Sequence, residues 1–264
     1  MNRIEQKNQE LCLQKRKAFI AYITAGFPTA AATEQLVYTL EENGVDFIEL
    51  GMPFSDPVAD GPTIQAASCA ALAAGMNMIN FLNLVKTLRQ KTQIPLIIMS
   101  YFNPIFKYGI KKFAIDAKLA GLDGVIVPDL PPEEAKELNQ ALRNQGIDQI
   151  FIISPVTEPA RMKQIAKLSR GFIYYVPLTG VTGTRTSLPK NIALAVKAIK
   201  QSSKTPIFVG FGIFTPEQVK QVVKISDGAI VGSGIIQVIA QYSQDEQMVK
   251  KVGQYIRSLS QMCC

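Results

Sequence analysis

The chain reads as a (β/α)8 barrel. Three observations predict it: eight short apolar runs recur along the 264 residues, helical patterns separate them, and no linker or low-complexity segment divides the chain. Short, continuously apolar strands alternating with helices belong to a parallel sheet covered on both faces, and eight such units close into a barrel of about 250 residues.

Residues 1–16 form an N-terminal helical segment, polar and charged and without the apolar core of a signal peptide. The first strand runs from Lys17 to Thr24 and ends at Gly26 and Pro28. Ala30 to Asn43 has apolar residues at helical spacing, and Gly44 stops it. The second strand opens at Phe47 and is broken after Leu50 by glycine and proline. Two helices follow, one from Pro62 at a favoured first position and one from Asn77 to Lys91. Leu96 to Tyr101 is the third strand, and Gly124 to Val127 the fourth, with a helix from Ile110 to Ala120 between them. A helix to Gln145, a strand at Gln149 to Ile153, a helix at Glu158 to Ser169 and a strand at Phe172 to Val176 continue the alternation. After a long loop come a helix at Pro189 to Lys200, strand seven at Ile207 to Gly210, strand eight at Ala229 to Val231 and two C-terminal helical segments. The barrel thus carries extra helices at the N-terminus and after strands two and eight, and residues 260–264 read as a frayed tail.

Composition excludes several functions. Hydrophobic residues make up 47% and charged residues 19%, ample material for a core. No apolar run reaches the roughly 18 residues of a membrane span. The net charge of +7 comes from lysines spread over helices without aromatic interleaving, which describes solvated faces rather than a nucleic-acid site. Cys12, Cys69, Cys263 and Cys264 show no CxxC spacing, which points to a reducing, cytoplasmic compartment. The terminal pair is no prenylation box, because Gln261 stands where the acceptor cysteine would be. There is no histidine, so the usual general base, the commonest zinc ligand and every Ser-His or Cys-His pair are excluded. Catalysis must run on carboxylates, lysine or tyrosine.

In this fold the active site lies at the C-terminal ends of the strands. Standing there are Glu49, Asp60, Tyr101, Asp129, Tyr174, Thr182, Gly183, Gly212, Gly232 and Ser233. Glu49 interrupts an apolar strand, where lost hydration raises a carboxyl pKa toward the range useful for proton transfer. Asp56 and Asp60 follow in a turn that reads as solvated, where an acid stays ionised; two acids in unlike environments can divide acid and base roles. The competing structural reading is a helix cap and ordinary aspartate turn chemistry. Gly180 to Gly183, Gly210 to Gly212 and Gly232 to Gly234 follow strands six, seven and eight, where backbone N–H groups and a helix N-terminus suit a phosphate. A zinc aldolase lacks its ligands here, and no inferred strand end carries the lysine of a Schiff-base aldolase.

The string from Phe47 to Gln65, FIELGMPFSDPVADGPTIQ, resembles the signature of the tryptophan synthase alpha subunit family. TAGFP at Thr24 to Pro28, SYFNP at Ser100 to Pro104, PDLP at Pro128 to Pro131, TGVTG at Thr179 to Gly183 and GFGI at Gly210 to Ile213 extend the resemblance from about Lys17 to Ile239. It implies retro-aldol cleavage of indole-3-glycerol phosphate to indole and glyceraldehyde 3-phosphate. An indole leaving group suits the exclusions above, because protonation at C3 alone activates it. By the resemblance Glu49 is the proton shuttle, Asp60 holds the indole N–H, and Tyr174 assists Glu49 by positioning. Gly183, Gly212, Gly232 and Ser233 would hold the phosphate, and Thr182 and Gly183 belong to a loop that closes over the ligand. Tyr22, Met99, Ile126, Ile152 and Phe211 would line the indole slot, with plain barrel packing an equal reading for each.

The resemblance also implies a pyridoxal-phosphate beta subunit as partner in an α2β2 complex, with neither cofactor nor metal in this chain. Docking would use the loops at Met52 to Val58 and Asn103 to Phe106, exposing Pro53, Asp56, Pro57, Asn103, Ile105 and Phe106. Two departures stand out: Pro177-Leu178, where the family commonly has a serine, and Phe27, where many members have aspartate. Pro177 fixes φ at the root of the closing loop. That keeps open a ligand-binding regulatory subunit that mainly activates its beta partner. A phosphate-binding isomerase using the same two acids is a third reading.

Overall fold

The computed structural model describes residues 1–177, 192–210 and 212–264. Its strands are β1 (Ala18–Thr24), β2 (Phe47–Gly51), β3 (Leu96–Met99), β4 (Gly124–Ile126), β5 (Asp148–Ile150), β6 (Ile152–Ile153), β7 (Ile173–Tyr175), β8 (Ile207–Gly210) and β9 (Gly228–Val231). All pair in parallel, in the order β5-β4-β3-β2-β1-β9-β8-β7-β6. The expected fifth strand is present as two pieces split at Phe151. Its first piece bonds β4 and its second bonds β7, so chain continuity closes the sheet into the barrel.

The helices are α1 (Arg3–Leu13), α2 (Ala30–Glu42), α3 (Pro62–Ala73), α4 (Met78–Leu88), α5 (Phe102–Tyr108), α6 (Ile110–Ala120), α7 (Lys136–Asn144), α8 (Pro159–Leu168), α9 (Ile192–Ser202), α10 (Pro216–Val223), α11 (Ser233–Gln241) and α12 (Met248–Ser260). The additional helices α1, α3 with α4, and α11 with α12 stand where the sequence predicts them. Two helices were not anticipated. For α10 the signal is legible: Thr215 at the N-cap and Gln218 three residues on form a capping box around Pro216. For α5 the proline of SYFNP argues for a loop, yet Pro104 falls in the first turn, where a missing N–H costs nothing. The start of the helix expected from Pro189 lies outside the described residues.

Strand alternation sorts the core into two parts. Ala18, Ile20, Phe47, Ile97, Ile126, Ile150, Phe172, Phe208 and Ile230 point inward and fill the barrel. Phe172 stacks on Phe208 at 4.4 Å between ring centroids, and Phe47 lies 5.4 Å from Phe208. Ile4 and Leu11, two turns apart on one face of α1, join this cluster and close the N-terminal end of the barrel. Outward residues such as Phe19, Ile23, Ile48 and Leu50 pack against the helices.

Three acids at the N-terminal end are satisfied by the backbone. Asp46, Asp123 and Asp227 each precede a strand and accept from the start of the previous one, with Phe19, Leu96 and Ile207 donating their N–H groups at 3.0 Å in each case. Asp123 also holds Arg3 at 3.0 Å and the largely buried Arg89 at 2.5 Å. These contacts fasten consecutive strands at the end opposite the site.

The tail is not frayed. Gln261–Cys263 form a 3-10 turn, and the Cys263 carbonyl accepts from the Lys17 N–H at 2.9 Å. Ser260 donates to the Asn43 carbonyl at 2.7 Å, so α12 anchors the chain end against α2 and β1. Burial pushes the Cys263 thiol pKa up to about 12. Among the described residues no single helix is long and apolar enough to cross a membrane.

Asp123→Ala leaves Arg89 buried without its counter-charge and frees the Leu96 N–H. We expect a loss of about 3 kcal/mol, read as a lower urea midpoint with an unchanged native circular dichroism spectrum.

Candidate active site

The C-terminal ends of the strands surround a cavity of about 240 Å³. Tyr22, Met99, Ile152 and Tyr174 form its apolar wall, Asp60 enters on the loop after β2, and Gly212, Gly232 and Ser233 border the other side. Ile126 does not reach this wall. It pairs in register with Met99 and Ile150 and is fully buried in the inner barrel cluster. Phe211, Thr182 and Gly183 lie outside the described residues. Ile64, Pro128, Ser154, Val176 and Ile213 also line the cavity and were not anticipated. Pro128, Ser154 and Val176 follow their strands within two residues, so the strand-end rule finds them. Ile64 is brought in by the placement of α3, which no local pattern encodes.

Glu49 shares the inward face of β2 with Phe47 and is fully buried. Both carboxyl oxygens lack a hydrogen-bond partner among the described residues. Removal from water without compensation disfavours the anion, and its pKa is pushed up to about 8. Glu49 is therefore protonated at neutral pH. Tyr22 pairs with it in register across β1 and β2. Burial foremost, with the neighbouring acids Asp60 and Glu49 adding to it, raises the Tyr22 and Tyr174 phenols well above their ordinary value, so both remain neutral.

Asp60 differs from the expectation of a solvated turn. The loop folds back over the barrel mouth, the side chain is half-buried, and desolvation raises its pKa to about 6. The Tyr101 hydroxyl accepts from the Ala59 N–H at 2.8 Å and hydrogen-bonds Asp60, which pulls that pKa back down. Asp60 thus remains ionised where Glu49 is protonated, the separation that lets one acid donate and the other stabilise positive charge.

On the opposite side, Gly232 caps α11 and Ser233 opens it, so a helix N-terminus faces the cavity, a favourable place for an anion. Gly212 has φ +70°, a conformation that favours glycine. Among the described residues no cluster of three His, Cys, Asp or Glu side chains could hold a metal ion.

Of the residues expected on an exposed face, Asp56, Asn103 and Phe106 are exposed and Pro57 half-exposed, but Pro53 and Ile105 are buried. The segment at 103–106 is part of α5 rather than a loop. Helical rotation turns Ile105 into the core and Phe106 outward. Val58, 84% exposed, stands on the same face.

A parallel barrel whose C-terminal mouth holds a cavity with two carboxyls in unlike environments, opposite a glycine-bordered helix terminus, has the architecture of a TIM-barrel enzyme. Residues 9–263 match the family model described as tryptophan synthase alpha chain. The alpha chain of Geotalea uraniireducens is 46% identical over 259 residues, 98% of this chain and 97% of the relative. That of Dehalococcoides mccartyi is 47% identical over 248 residues, 94% of this chain and 96% of the relative. The crystal structure of the alpha subunit from Legionella pneumophila superposes with a TM-score of 0.92 at 37% identity, covering 100% of this chain and 98% of that one. Tryptophan synthase from M. tuberculosis in its aminoacrylate-bound form gives a TM-score of 0.89 at 30% identity, with 100% of both chains covered. The chain belongs to the tryptophan synthase alpha chain family. The reaction of that family is a lyase step of tryptophan biosynthesis, cleavage of indole-3-glycerol phosphate to indole.

Glu49 also makes stability depend on pH. Its folded pKa of about 8 lies above the unfolded value of 4.5, so the native state holds a proton that the unfolded chain releases. The stabilisation is full below about pH 4.5 and is lost as pH rises through about 8. Between those limits Glu49→Gln should show a flatter profile of urea midpoint against pH than the parent chain.

Proposed function

We propose that Glu49 is the proton shuttle of indole-3-glycerol phosphate cleavage and that Asp60 is its electrostatic partner. The observation that carries this reading is the fully buried Glu49 carboxyl, without a hydrogen-bond partner among the described residues and with its pKa raised by burial, behind a cavity edged by Asp60. The indole ring lies between Tyr22, Met99 and Ile152, with its N–H donated to the Asp60 carboxylate. Glu49 gives its proton to indole C3, and Asp60 stabilises the positive charge that develops on the ring. The carbon–carbon bond then breaks with its electron pair returning to the ring, while the adjacent glycerol hydroxyl passes its proton to the Glu49 carboxylate. Indole and glyceraldehyde 3-phosphate leave, and Glu49 is protonated again. Tyr174, neutral and beside Glu49, orients it. Gly212, Gly232 and Ser233 bind the phosphate together with Gly183, and Thr182 and Gly183 close the site and exclude water.

Family membership implies a beta partner, and the exposed face of Asp56, Pro57, Val58, Asn103 and Phe106 suits it. We further read the assembly as α2β2 in the cytoplasm, with pyridoxal phosphate held by the beta subunit.

Indole release from indole-3-glycerol phosphate, measured with and without a beta subunit, tests the assignment; turnover should rise with the partner. Glu49→Gln should lose at least about 100-fold in kcat while still folding, and a variant that keeps its rate removes Glu49 from the mechanism. The pH profile of kcat/KM should be bell-shaped, rising through about 6 as Asp60 ionises and falling through about 8 as Glu49 does. Asp60→Asn should lose the acid limb.

A further inference from the structure

Two tyrosines at the barrel mouth each lean on a glycine of the neighbouring strand. A Cβ built on Gly51 would meet the Tyr22 hydroxyl at 2.1 Å, and one built on Gly210 would meet the Tyr174 hydroxyl at 2.8 Å. Both glycines have ordinary negative-φ backbones and are absent from the left-handed positions of this chain. Their lack of a side chain serves close approach, not chain direction. Tyr22 begins level with Glu49 in the β1–β2 register and ends over Gly51. Residues 49 and 51 share one face of β2. The Tyr22 ring therefore climbs along β2 on the mouth side of the Glu49 side chain. It lines the cavity, whereas Glu49 behind it has no exposed surface.

We propose that Tyr22, seated in the notch left by Gly51, is a positioning residue that shields the Glu49 carboxyl from water and so preserves the proton it delivers. Among the described residues, the titratable groups facing Glu49 are the Tyr22 phenol from β1 and the Tyr174 phenol from β7. Asp60 and Tyr101 stand beyond Tyr22 at the mouth. From β3 come only Ile97 and Met99. None of these groups is a cation that would hold Glu49 as an anion, so its protonation state depends on the exclusion of water. Tyr22 accomplishes that with its ring, and Gly51 is required because any larger residue displaces the ring from its seat. The consequence for catalysis rests on Glu49 being the proton shuttle; the shielding itself does not.

The experiment is a 13C NMR titration of the glutamate side-chain carboxyls in the purified chain, with the Glu49 signal assigned by its loss in Glu49→Gln. Tyr22→Leu and Gly51→Ala should each lower the Glu49 pKa by about one unit or more, and the basic limb of kcat/KM should move down with it. Tyr22→Phe keeps the ring and should leave both within about 0.3 units. An unchanged Glu49 titration in both Tyr22→Leu and Gly51→Ala overturns the proposal, as does a shift in Tyr22→Phe as large as that in Tyr22→Leu. Failure of the lyase reading has a different signature, absence of indole release while the titration shifts still occur.

Discussion

A carboxyl held in an apolar barrel, without a hydrogen-bond partner among the described residues, is the constraint on which the site depends. Burial of Glu49 costs stability, and the chain accepts that cost because a carboxylic acid that keeps its proton at neutral pH needs just such a place. The surroundings follow from it. Inward strand positions below Glu49 are isoleucine and phenylalanine, α1 closes the far end with Ile4 and Leu11, and neutral tyrosines stand beside it. A single lysine or arginine on this inner face would turn Glu49 into an anion.

The acids at the other end of the barrel show the contrast. Asp46, Asp123 and Asp227 are the same kind of group, yet each accepts a backbone N–H from the preceding strand and each has a cationic neighbour. Those contacts offset part of the cost of burying them, and they fasten strand to strand. Among the described residues Glu49 has neither form of compensation. One end of the barrel uses carboxylates to hold the fold, and the other buries a carboxyl that no described residue satisfies, in line with the division between the stability face and the active face of this architecture.

Asp60 is poised between these cases. It is half-buried at the rim, with a Tyr101 hydrogen bond that partly offsets lost hydration. Its pKa therefore rises less than that of Glu49, and the two acids carry different protonation states at the same pH. Opposite Asp60 stands backbone: the N-terminus of α11 and a left-handed glycine at 212. Among the described residues lining the cavity none is a cation.

Sequence alone determined the barrel, because strand and helix periods are local and eight of them in alternation leave few ways to bury every apolar face. It also determined which acid is strained, since Glu49 stands alone in an apolar strand, and which ends carry glycine. Tertiary structure decided the rest. Whether an inward residue borders the cavity or is covered by its neighbours depends on the packing around it, which leaves Met99 and Ile152 in the wall and Ile126 fully buried although it pairs with Met99. Turn chemistry marked Asp60 as solvated, but the fold returned its loop over the mouth and removed part of its water. Local polarity could not distinguish Ile105 from Phe106, because only the rotation of α5 against the core decides which of two adjacent apolar residues faces out. The tail at 260–264 looked free for the same reason: its partners, Asn43 and Lys17, are more than 200 positions away in the chain.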